Sequence, residues 1–375
     1  MTSPIVRSYL VLAMLLTGIG CSTAQPLQPG DTAMRFVDYN PPSTLVVPEH
    51  PRTRAKYPFI DIHNHQWRMP TQDLDALAAQ MDSLNMAIMV NLSGRGWGDP
   101  AYLEQSLQNI ARHQPGRIVL FTNIRFEGID DPNWLTITLD QLERDVQAGA
   151  RGLKVFKNLG MSVKDSRGER VAVDDPRLDP VWAKCGELGI PVLIHTADPF
   201  QFWQPRDAGN ERWLELVERP DRYRDPEVYP PFEQIIGEQH NIIRRHPGTI
   251  FISAHLSWMG NDLARLGKLL DTLPNMYTEI GAVLAELGRQ PRAARVFLIQ
   301  YQDRVLFGKD VWAPAEYAVY FRVLETADEY FDYYRKRHAF WKMYGLDLPD
   351  EVLKKLYYQN ALRIVPGLDS SLFPD

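Results

Sequence analysis

The chain has 375 residues, of which 45% are hydrophobic and 23% charged, with a formal net charge of −6. The composition is globular, and the length suits one large domain with extensions better than several small ones. The acidic balance supplies no basic face for nucleic acid, and no interior apolar run is long enough to cross a bilayer.

In chain order, residues 1–21 read as an export signal. Arg7 supplies a positive start, Tyr9–Leu16 a short apolar stretch, and Gly18-Ile19-Gly20-Cys21 follows. Small residues just before a cysteine resemble the bacterial lipoprotein cleavage box, with Gly18 where that box usually has Leu. The resemblance implies that Cys21 is lipidated and that the chain sits in the bacterial cell envelope, facing the periplasm or the cell surface. Several acyl chains on one residue anchor stably, since each buried methylene adds about 0.8 kcal/mol. Ordinary secretion with cleavage nearby is the alternative. With Cys21 acylated, Cys185 has no disulfide partner; it lies in a helix-like stretch and reads as a small buried hydrophobe.

Residues 22–57 are rich in Pro, Thr and Ser and read as a tether plus an irregular lead-in. From residue 58 to about 366, short β-rich runs alternate with helix-compatible spacers such as Asp73–Leu84 and Leu139–Ala148. The spacing predicts strands at Phe59–His63, Ala87–Leu92, Ile118–Arg125, Gly152–Phe156, Pro191–His195, Ile250–His255, Met276–Ile280 and Val305–Asp310. Eight such units suit an α/β fold, a closed (β/α)8 TIM barrel. An open doubly wound sheet is the runner-up, but it normally carries a phosphate-binding glycine fingerprint, which is absent. Asp198–Glu233 is too long for a simple connection and is the candidate lid and substrate-contacting wall, with Trp203 as one contact. Tyr317–Tyr344 is dense in aromatic residues and reads as helix packing or an oligomer contact. Residues 367–375 form a tail.

The strands are apolar on both faces except at their C-terminal ends, where barrel enzymes keep their active sites. Alternation points His63, His195, His255 and Asp310 into the barrel. His63 and His65, at i and i+2 on one strand end, face the same way and can converge on one ion. A single buried histidine is more often an ordinary core residue. Here four of nine histidines gather on one rim. Asp61, Lys154, Arg125, Asn91 and Glu279 share that rim.

These motifs resemble the amidohydrolase superfamily. Asp61-Ile62-His63-Asn64-His65 looks like its opening motif. Ile194-His195, Ala254-His255-Leu256, Leu306-Phe307-Gly308-Lys309-Asp310 and the closing Tyr357–Arg363 match in order and spacing. The resemblance covers Phe59 to Val365 and is to the branch that includes aminocarboxymuconate-semialdehyde decarboxylase, resorcylate decarboxylases and pyrone-dicarboxylate lactonase. It implies one divalent metal, expected to be Zn2+ with Mn2+ or Fe2+ as alternatives, held by His63, His65, His195 and Asp310. It implies His255 as acid/base, with Asp310 doubling as proton acceptor. In other branches a fourth-strand lysine is carboxylated and bridges two metals; Lys154 is otherwise a buried cation pairing with Asp61 or a substrate carboxylate. Asp61 would orient ligands, and Arg125 could hold a substrate carboxylate. The chain departs from the family at Lys309-Asp310-Val311-Trp312, where Thr or Ser before the Asp and Trp-Pro after it are commoner.

The expectation is a metal-dependent hydrolase acting on a C–O or C–N bond of a small cyclic or carboxylated substrate, with a homodimer as the family-level assembly. Non-oxidative decarboxylation or hydration of an aromatic or unsaturated acid at the same site is one alternative. A non-catalytic ligand-binding envelope lipoprotein is the other.

Overall fold

Phe59–Asn64 forms strand β1 with every residue buried. Only a strand covered on both faces tolerates such a sequence, which is the requirement of a parallel sheet wrapped by helices. The computed structural model describes residues 38–39, 41–96, 101–335 and 341–374. The export signal, Cys21 and the start of the tether lie outside the described residues.

β1 pairs in parallel with β2 (Met86–Asn91), and β2 with the first piece of β3 (Ile118–Leu120). After Phe121 the same strand continues as Thr122–Asn123 and pairs with β4 (Leu153–Val155). Phe121 N still donates to Asn91 O at 3.0 Å, so the two pieces act as one strand. β5 (Val192–Ile194), β6 (Phe251–Ser253), β7 (Met276–Glu279) and β8 (Val305–Leu306) follow in order, all parallel. The circle closes between β8 and β1. Ile62 N donates to Phe307 O at 3.0 Å and Asp310 N to His63 O at 2.6 Å, and Asn64 and Asp310 form a parallel bridge. This is the closed barrel, and the open sheet is excluded.

The outer helices begin with α1 (Leu74–Leu84), α2 (Tyr102–His113), α3 (Trp134–Ala148) and α4 (Asp179–Glu187). The short α5 (Trp213–Glu218), then α6 (Phe232–Arg245), α7 (Leu263–Thr272), α8 (Leu284–Arg289), α9 (Pro291–Gln300) and α10 (Pro314–Glu325) follow. α1 shows how sequence sets such an element. Asp73 caps it by accepting from Ala76 N, Asn85 ends it with φ at 70°, and Leu74, Leu77, Ala78, Met81 and Leu84 supply a buried stripe at helical spacing. Burying each large apolar side chain contributes about 1.5–3 kcal/mol.

The aromatic-rich region seals the barrel beside β1. Phe59 meets Phe307 at 4.8 Å and Phe321 at 5.5 Å, and Tyr317, Tyr320 and Phe321 of α10 are fully buried. This is the helix packing expected, but among the described residues only its first part is helical. Thr326 ends α10 in an extended conformation, and Phe331–Asp332 (β9) pairs antiparallel with Lys342–Met343 (β10). Asp328 accepts from Arg322 Nε and His50 N, long-range satisfaction that a continued helix would not provide. Part of the lead-in is therefore packed: Lys56 N donates to Glu325 Oε1 at 2.9 Å and Ala55 N to Leu84 O at 3.1 Å.

The final helix runs from Asp350 through a π-turn, Lys355–Gln359, to Ile364. Its Asn360 donates to Gln302 O at 2.7 Å and Val305 O at 2.8 Å. The closing motif thus fixes the start of β8, the strand that leads to Asp310.

Candidate metal centre

The chemistry-bearing residues sit at or just past the C-terminal strand ends. His63 lies on β1, His195 directly follows β5, Glu279 ends β7, and His255 and Asp310 lie beyond β6 and β8. His63 Nε2 is 3.5 Å and His65 Nε2 3.7 Å from Asp310 Oδ1. Donor atoms of the three residues all lie within 4.8 Å of one another. Ligands bonded to a tetrahedral zinc at about 2.0–2.1 Å sit roughly 3.3 Å apart, so the trio is spaced for one ion. His195 does not join that trio. Its ring lies 4.4 Å from that of His255, which stacks 4.8 Å from His63.

Each ring is turned by its other nitrogen. His63 Nδ1 is 2.9 Å from Glu279 Oε1, His65 Nδ1 is 2.8 Å from Ser93 Oγ, and His255 Nδ1 is 2.7 Å from Gly281 O. A carbonyl only accepts, so His255 carries its proton on Nδ1 and keeps Nε2 as a base. Nε2 of both His195 and His255 is buried and has no hydrogen-bond partner. Buried polar atoms without partners are rare and demand an explanation, and a bound cation supplies one for an imidazole lone pair.

The electrostatics fit the same donor set. Burial, followed by the facing Lys154, lowers the His65 pKa to about 4, and burial likewise pushes His63 and His195 well down. These imidazoles are neutral at pH 7, the form that binds metal. Burial opposes the Asp310 charge, but His63, His255, His65 and Lys154 outweigh it and hold the carboxyl at about 2. Asp61 is pushed up to about 6 by burial, against hydrogen bonds from Tyr317 and Asn64.

The other expected site residues fall into two groups. Lys154 is buried with Nζ 3.4 Å from His63 Nε2, and burial lowers it to about 7. It does not pair with Asp61, whose oxygens accept from Tyr317 Oη at 2.6 Å, Asn64 Nδ2, His63 N and Lys309 N. Asp61 therefore ties β1 to the β8 rim and to α10. Asn91 is likewise an internal clamp, accepting from Gln66 N and Ser93 N. Arg125 is exposed, and Trp203 donates to Pro230 O at 2.9 Å and packs on Phe232; neither lines the cleft over the trio.

That cleft encloses about 600 Å³. His195, His255 and Asp310 form its floor, and Pro199, Phe202, Arg212 and Arg222 of the Asp198–Glu233 segment form one side. The segment is a fixed wall. Lys157 and Arg224 both pair with Asp198, Arg212 is buried between Glu215 and Glu286, and Arg222 also reaches Glu215. Trp258, over His255 at 4.6 Å, completes the floor. Sequence reasoning did not single out Ser93, Gly281, Trp258, Arg212 or Glu316. Trp258, three residues past His255, carried the one local signal.

Comparison with known proteins agrees with this architecture. The model of the amidohydrolase family matches residues 60–367. No curated protein matches. A dihydroxybenzoic acid decarboxylase from Polaromonas sp. JS666, solved with manganese and 2-nitroresorcinol, is 14% identical with a TM-score of 0.51, covering 82% of this chain and 96% of its own. 4-Oxalomesaconate hydratase from Rhodopseudomonas palustris is 14% identical with a TM-score of 0.50, covering 84% and 97%. An uncharacterized TIM-barrel protein from Bordetella bronchiseptica is 16% identical with a TM-score of 0.49, covering 82% and 97%. At such identities the likeness speaks for the fold, while the family match spans most of the chain. The chain belongs to the amidohydrolase family, metal-dependent enzymes of the amidohydrolase superfamily.

Proposed function

We propose that this enzyme hydrolyses a C–O or C–N bond of a small cyclic or carboxylated compound. The reading rests on one observation: the His63–His65–Asp310 trio lies beside His255, whose Nε2 is oriented as a base and left without a partner at the floor of the cleft. His63, His65 and Asp310 would hold a divalent ion, expected to be zinc, with His195, whose buried Nε2 has no hydrogen-bond partner, as the expected fourth ligand. Such an ion supplies Lewis acidity and makes water available as a nucleophile near neutral pH.

Hydrolysis needs one group to take a proton from water and another to return one to the leaving atom. Asp310, 3.5 Å from His63 Nε2, and His255, stacked on the His63 ring, supply that pair. Water oxygen bonds to the carbonyl carbon as Asp310 takes its proton, that proton passes to the unprotonated His255 Nε2, and from there it reaches the departing oxygen or nitrogen as the C–O or C–N bond breaks. Glu279 fixes the ring of His63 and the backbone of His255, and Trp258 and the wall limit access of bulk water. Decarboxylation and hydration at this site are the competing reactions, since the fold also serves a decarboxylase and a hydratase. Incubating the purified protein with panels of lactones, amides and phenolic acids separates them. Ring opening or amide cleavage without gas supports hydrolysis; carbon dioxide release from a phenolic acid overturns it.

A further inference from the structure

Asp310 stands in a backbone conformation that residues with a Cβ avoid, with φ at 79°. Its own N donates to His63 O. The rest of the hold comes from Lys309, whose side chain is fully buried although it carries a charge. Lys309 N donates to Asp61 Oδ1 at 3.1 Å. Its side chain then loops past Asp310, so that Nζ donates to Val311 O at 3.1 Å and pairs with Glu316 Oε2 at 2.5 Å. Three rings surround this ammonium, Tyr317 at 5.7 Å, Tyr320 at 5.8 Å and Tyr334 at 5.6 Å.

An apolar side chain of the same length would fill this space without the cost of desolvating a charge. What only an ammonium adds is a bond from residue 309 to the carbonyl of residue 311, a clasp across the strained residue between them. The tyrosine faces and Glu316 make its burial tolerable. We propose that Lys309 is a positioning residue: its caged ammonium locks the left-handed turn that presents the Asp310 carboxylate to the metal, and so sets metal affinity. This rests on the reading of Asp310 as a ligand.

The test is the zinc dissociation constant of the folded, full-length protein, measured by competition with a chromophoric chelator. K309M keeps an unbranched apolar stem one atom shorter and removes the donor, and is expected to weaken zinc about tenfold, as for groups that orient a ligand. K309L, which also removes the donor, is read by the same limit should K309M fail to fold. A purely structural lysine would lower the melting temperature of the metal-free protein and leave the dissociation constant of the folded state alone. A change of less than about threefold in the folded variant overturns the proposal. H63A, run in parallel, separates the two readings: if it binds zinc as wild type does, the ligand assignment itself fails and the Lys309 proposal with it.

Discussion

Glu279 Oε1 lies 2.9 Å from His63 Nδ1 and also accepts from His255 N at 2.7 Å, so one buried carboxylate orders both the ring proposed as a metal ligand and the segment that carries the proposed base. Partners of this kind fix tautomer and orientation, and their loss typically costs about 10–100-fold in metal affinity. E279Q should therefore weaken zinc binding by about that factor, measured by chelator competition, with near-ultraviolet circular dichroism unchanged. Retention of wild-type affinity would assign Glu279 to packing alone.

His255 stacks on His63, and its Nε2 has no hydrogen-bond partner. H255N should retain about one equivalent of metal while turnover falls about 10²–10⁴-fold, the usual contribution of a positioned acid/base. Loss of the metal instead would make His255 a ligand.

The wall beside the cleft depends on Arg212, buried between Glu215 and Glu286 and covered by Trp341. Removing one member of a buried charge cluster leaves the others uncompensated and costs about 3–5 kcal/mol. R212M should speed limited proteolysis between residues 204 and 228 well before the barrel melts. Unchanged cleavage there would mean that the wall is held by its apolar contacts.

His240 of α6 is buried, its Nε2 has no partner, and burial, aided by Arg265 and Arg244, lowers its pKa to about 4. Unfolded, it titrates near 6.5, so between the two values the unfolded chain binds the extra proton. Stability is thus lost as pH falls from about 6.5 toward 4 and no further below that, by about 2 kcal/mol at pH 5. Denaturant melts of wild type and H240L at pH 7 and pH 5 should show the gap between them shifting by about that amount in favour of the variant. A gap independent of pH would contradict this.

Much of the fold is legible in the sequence because parallel strands are apolar throughout and end in polar residues. All eight predicted strands are present, each within a few residues of its expected place. All but the first end earlier than expected, and at the sixth and eighth the reason is local. His255, Leu256, Ser257 and Trp258 have φ between 52° and 60°, and Asp310 has 79°. None is glycine, so nothing in the residue types announces a left-handed turn. Of the four residues expected to hold a metal, His63, His65 and Asp310 come together, while His195 lies outside that group. The partners that aim the site were not legible, since Ser93 and Gly281 O are generic groups and Arg212 meets Glu286 across 74 positions. Lys309 was visible as a departure from the family pattern, but its tyrosine cage is assembled by α10 and the segment after it.

The most direct test of the account is metal content, by elemental analysis of wild type, H63A and D310N purified without chelator. The account predicts about one equivalent of a divalent ion in wild type and near none in either variant. Wild-type protein without metal, or an H63A variant as fully loaded as wild type, would contradict it.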